Sequence, residues 1–156
     1  MKRSIASALL LLTFAFSPTV AAAAEAWGYF SCGLDSQTAS LHVHSKLAIY
    51  EYDSPPPPAD NSSQAAGDNW LADEKAFSED LENLAAQFAE LVEETFSAPC
   101  ISAGVGLVLD HVSGPFKTPE MAQEAIEWEA NTFGIISEAT GKGTLRMEEI
   151  DFPTNQ

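Results

Sequence analysis

The segment Asp73–Phe96 constrains the fold more than any other stretch of the chain. Its apolar residues Phe77, Leu81, Leu84, Phe88, Leu91, Val92 and Phe96 recur at steps of about four and three. That is the period of an α-helix with a single apolar stripe. Between them stand Glu79, Asp80, Glu82, Gln87, Glu90, Glu93 and Glu94, which form a solvated acidic face. A helix of this kind does not persist alone in water, so another layer must cover the stripe.

The flanking segments supply that layer. Trp27–Ser31 and Ser40–Tyr52 read as strands joined through a turn at Gly33–Gln37. In the second strand Leu41, Val43, Leu47 and Ile49 alternate with His42, His44, Lys46 and Tyr50. This places the two groups on opposite faces, with the histidines toward solvent. Residues 53–69 hold the consecutive prolines Pro55 to Pro58 and read as a mobile surface loop. Beyond Cys100, Ile101–Val112 is rich in Val, Leu and Gly and reads as a buried strand, and Gly114–Lys117 as a turn. Thr118-Pro119-Glu120 opens a second helix with a hydroxyl cap, a first-turn proline and an early carboxylate. Gly134 is expected to end it, and Leu145–Phe152 to form the last strand. The expectation is an α+β fold in ββαβαβ order: a single small, mostly antiparallel sheet with two helices packed on one face.

Residues 1–24 have the form of a secretory signal. Lys2 and Arg3 precede an apolar run from Ile5 to Phe16, Pro18 follows, and Ala22-Ala23-Ala24 fits a small-residue cleavage site. The run is short for a membrane span, so no membrane association is expected after its removal. Residues 25–156 then form one domain in the periplasm or outside the cell. In that oxidising setting Cys32 and Cys100, the only two cysteines, are expected to pair. Closing so long a loop stabilises by about 4 kcal/mol in the chain-entropy account. The formal charge of −16 repels phosphate backbones and anionic lipid, which argues against nucleic-acid binding and favours a basic partner.

Signals of catalysis are sparse. No Gly-x-Ser-x-Gly elbow or phosphate-cradling glycine pattern occurs, and the three histidines lie in no catalytic signature. Asp110, between Leu109 and His111, is the one carboxylate in apolar company. The reading is therefore no enzyme and no cofactor. His42 and His44, two apart on a strand, point the same way and are the weak candidates for a metal. The candidate partner-binding residues are Glu79, Glu82, Glu90, Glu93 and Glu94 on the first helix, with Trp128, which interrupts the polar face of the second. Glu93 and Glu94 sit in a last turn where the helix dipole already disfavours negative charge, so local stability does not account for them.

Val108 to Ala122, with Gly114-Pro115-Phe116 at its centre and an early alanine in the following helix, continues through Gly134 to Ile135. This stretch resembles the second half of a SPOR-type domain, a family that binds the glycan strands of bacterial peptidoglycan. The resemblance implies a sheet-and-helix fold and a cell-wall ligand. SPOR domains pair two βαβ halves, whereas here a second strand and a proline loop separate Trp27–Ser31 from the first helix. The leading expectation is an exported, non-catalytic acidic module that binds a protein. The alternatives are a SPOR-like peptidoglycan binder and a metal-binding periplasmic protein using His42 and His44.

Overall fold

A computed structural model describes residues 22–35, 40–60, 62–101, 111–141 and 145–153. Residues 1–21 of the expected leader, residues 36–39 and residues 102–110, with Asp110, lie outside them, while Ala22–Ala24 of the expected leader fall in the first strand. Strand β1 (Ala22–Asp35) is the axis of the sheet. It pairs antiparallel with β2 (Ser40–Ser45) and β3 (Ala48–Ser54) along one edge, and with β4 (Cys100–Ile101) and β5 (Val112–Phe116) along the other. Strand β6 (Leu145–Ile150) adds parallel to β2. The fold is α+β, with a small, mostly antiparallel sheet.

β2 and β3 continue one another with a bulge between them. Ser31 faces His44 and Gly28 faces Ala48, so Tyr29 and Phe30 stand opposite Ser45, Lys46 and Leu47. The extra residue reverses which alternate side chains point to which face. Leu41 and Val43 face one way before it, Tyr50 and Tyr52 after it, and all four join one core. The expected alternation through Ile49 therefore fails beyond Ser45: Ile49 is 56% exposed and Tyr50 is buried. The bulge is fixed by Ser45, whose hydroxyl accepts the Phe30 amide at 3.0 Å and donates to the Lys46 carbonyl.

Helix α1 (Ser63–Phe96) starts ten residues before Asp73, inside the segment expected as loop. Ser62 caps it by accepting the Ala65 amide, and Asp60 in turn accepts from Ser62. From Phe77 onward its stripe Phe77, Leu81, Phe88 and Val92 covers Phe30, Val43, Tyr50 and Tyr52. Phe77 lies against bare backbone: a Cβ on Gly28 or Gly114 would overlap its ring. Phe152 closes this core edge-on to Phe30 and Phe88.

Helix α2 (Pro119–Ala139) packs on the opposite face of the sheet. Ala122 and Ile126 meet Tyr29, whose side chain points away from that of Phe30, and the Phe133 ring lies beside His42. This corrects two expectations. The helices do not share a face, because β1 is apolar on both sides, through Phe30, Cys32 and Leu34 on one and Trp27 and Tyr29 on the other. The element order is βββα followed by ββαβ. Two local readings also change. Gly114-Pro115-Phe116 belongs to β5 and not to a turn, and α2 runs past Gly134 to Ala139. Gly134 instead gives Leu145 room to approach, since a Cβ there would sit 3.3 Å from its side chain. Cys32 and Cys100 form a disulfide between β1 and β4, with Cα atoms 5.6 Å apart. Among the described residues no helix is long and apolar enough to cross a membrane.

Candidate functional site

The polar residues of the sheet collect beneath α2. His42 and His44 project from β2 toward that helix because Leu41 and Val43 are claimed by the α1 core. Both were expected in solvent. His42 is instead 0% exposed and His44 is buried, because a second helix roofs their face. Ser113 of β5 and Glu129 of α2 complete the layer. The Ser113 hydroxyl donates to Glu129 Oε1 at 2.6 Å, and His42 Nε2 lies 3.4 Å from Oε2. Nearby, Ser137 of α2 donates to Ser40 of β2 at 2.6 Å.

Glu129 is the hub. Burial pushes its carboxyl upward, yet hydrogen bonding from His42 and Ser113, with the proximity of the Ser31 and Tyr29 hydroxyl dipoles, more than offsets this and holds it below the usual carboxylate range. Tyr29 is pushed far up, by burial first and then by the Glu129 charge. Its hydroxyl feels that charge without meeting hydrogen-bond geometry. His44 Nδ1 lies 3.0 Å from the Ser45 carbonyl, an acceptor, so this nitrogen carries the proton. By the same logic His42 Nε2 donates to Glu129, which leaves the buried Nδ1 of His42 without a partner among the described residues.

Chemically this is a locked layer. Ser113 donates to a carboxylate that also accepts from His42, so the imidazole does not contact the hydroxyl directly. Among the described residues, no three His, Cys, Asp or Glu side chains converge on a point that could hold a metal ion.

The surface candidates fall elsewhere. Glu79, Glu82, Glu90, Glu93 and Glu94 are exposed along α1. Glu79 pairs with Lys75 one turn earlier at 3.3 Å. Glu93 has a structural partner: its Oε1 accepts the Cys100 amide at 2.9 Å, tying the end of α1 to the disulfide-bearing strand. This accounts for one of the two carboxylates that the helix dipole disfavours. Trp128 projects from α2 and is 68% exposed. The sequence reading missed Glu129, whose only distinguishing signal is its phase on α2, about 60° from the centre of the buried line Ala122, Ile126, Ala130 and Phe133. No protein-family model matches this chain, and no curated protein or solved structure is significantly similar to it.

Proposed function

We propose that the chain is an exported, non-catalytic acidic module that binds a positively charged protein. The observation that carries this reading is the division of its polar groups. The side chains able to do chemistry, His42, Ser113 and Glu129, are bound to one another beneath α2. The outward groups are carboxylates, with Glu82, Glu90 and Glu94 in no ion pair among the described residues. The Cys32–Cys100 bridge is compatible with an oxidising compartment. The test titrates the protein with a lysine-rich polypeptide and, separately, with purified peptidoglycan. The expected outcome is binding of the polypeptide that weakens with salt and in Glu82→Gln/Glu90→Gln/Glu94→Gln. Salt-resistant cosedimentation with peptidoglycan, without polypeptide binding, would replace this reading by the SPOR-like one.

A second reading, metal binding through His42 and His44, draws on the commitment of one nitrogen in each ring. His42 Nε2 is held by Glu129 and His44 Nδ1 by a carbonyl, the outer partners that metal-binding histidines use. The ring centroids are 6.0 Å apart. Two imidazoles alone suit a soft monovalent ion better than zinc. Titration with Cu(I) should show one site that His42→Ala/His44→Ala removes; no binding would end this reading.

A further inference from the structure

We propose that the outward line of α2 is the docking surface for one amphipathic helix of the partner protein, a helix whose apolar stripe is bordered by Lys or Arg. The inference rests on the acidic-module reading and adds to the α1 carboxylates a second surface, on the other side of the sheet, with the form of the partner segment it takes. Met121, Ala125, Trp128, Thr132, Ile135 and Ala139 follow one another by alternating steps of four and three. They lie on the side of the helix roughly opposite its buried line Ala122, Ile126, Ala130, Phe133 and Ser137. A helix with a single sheet to cover needs one apolar stripe, and the other side should be polar. Here the second side carries Trp128 at 68%, Ile135 at 69% and Met121 at 47% exposure. Ala125 is half-buried against the Tyr29–Ile126 cluster at the margin of this line, whereas Met121, Trp128 and Ile135 are left to solvent, because α2 already meets the sheet with its first stripe.

Spacing and charge identify the occupant. The four–three alternation is the seam along which a second helix lays its side chains, with Trp128 at the middle as a large anchor. The seam from Met121 to Ala139 is about 27 Å long, which a partner helix of about five turns would span. Glu120, Glu124, Glu127 and Glu138 line one flank, and α2 contains no Lys or Arg. A second copy of this chain would bring carboxylates against carboxylates, so a partner with basic flanks is favoured over self-association. The exposed Trp70 and Leu71 near the start of α1 are adjacent in sequence and form no comparable line.

The test uses the full chain and three synthetic helical peptides of about twenty residues. One has a leucine stripe with Lys flanks, one the same composition scrambled to break the stripe, and one Glu in place of Lys. Binding is read by backbone amide shifts in every variant, and by the change in tryptophan fluorescence that is lost with Trp128. The striped Lys peptide should bind and perturb α2. Trp128→Ala, a surface change that leaves the core intact, should weaken it about tenfold or more. Glu124→Gln/Glu127→Gln should weaken it at low salt and flatten its salt dependence. If the scrambled peptide binds as well, or Trp128→Ala leaves affinity unchanged, the docking surface is wrong while the acidic-module reading stands. Equal binding of the Glu-flanked peptide would overturn the basic occupant. Failure of both Lys peptides to bind at low salt would remove this inference together with the reading beneath it.

Discussion

Glu129 is the side chain on which the buried polar layer depends. Truncating it to Ala would leave the Ser113 hydroxyl and His42 Nε2 unpaired in an apolar setting, a loss of about 2–4 kcal/mol by urea denaturation at neutral pH. Because its carboxyl is held below the usual value, the unfolded chain takes up that proton more readily than the folded one. Its stabilisation is therefore complete above about pH 4.3 and is lost as pH falls through the lower, folded-state value. Glu129→Gln should start less stable and show a shallower loss in acid, and an acid profile parallel to that of the unmodified chain would count against this role. The histidines illustrate how far sequence reaches at this scale. Their shared face followed from the two-residue spacing, but their burial depended on which side α2 would take, and β1 is apolar on both sides. Glu129 was harder still. It differs from Glu127 by a rotation around the helix that becomes meaningful only once the sheet beneath is known.

Among the elements, the β2–β3 bulge decides which side chains reach which core. It leaves Gly28 opposite Ala48 while adding one residue between the paired segments. Deleting Lys46 would remove that residue and join the two registers without turning Tyr50 or Tyr52 outward. The expected cost is at most about 2 kcal/mol, from disturbance of the Phe30–Ser45 hydrogen bond. Deleting Glu51 would leave the two tyrosines adjacent in sequence, turn one of them off the α1 core, and should cost about 2 kcal/mol more than deleting Lys46, the contribution of one such burial. Denaturation curves of the two deletions test this, and similar losses would refute it. The same comparison explains what was legible in the elements. Phe77, Leu81, Phe88 and Val92 announced the covered part of α1 through their period. Its first turns did not stand out, because Gly67, Asp68 and Asn69 are poor helix formers and the apolar stripe has not yet begun. Lys46-Leu47 carries no glycine or other bulge signal, so the inversion was invisible. At Gly134 a packing glycine resembled a terminating one.

For the whole molecule, charge and covalent closure act in opposition. With 7 basic against 23 acidic residues, folding gathers like charges at the surface. The ion pairs Lys46–Asp151, Lys75–Glu79 and Arg146–Glu148 lie largely in solvent, where each contributes little. The disulfide works against the unfolded chain across 68 residues, by about 4 kcal/mol in the chain-entropy account. Repulsion of this kind is long-ranged and should yield to screening once the Debye length falls below about 10 Å. Raising NaCl from about 0.01 M to about 0.5 M at neutral pH should therefore increase the urea midpoint. Urea is the appropriate denaturant because it is uncharged, whereas guanidinium would itself supply the screening. The increase should shrink in mild acid as exposed carboxylates take up protons, although the loss at Glu129 then begins to lower the curve as a whole. The slope against salt separates these contributions, since Glu129 is largely buried and weakly screened. A midpoint that falls with salt at neutral pH would mean that the ion pairs outweigh the repulsion. The carboxylates of α1 would then have to be regarded as compensated, which would remove the electrostatic basis for attracting a basic partner.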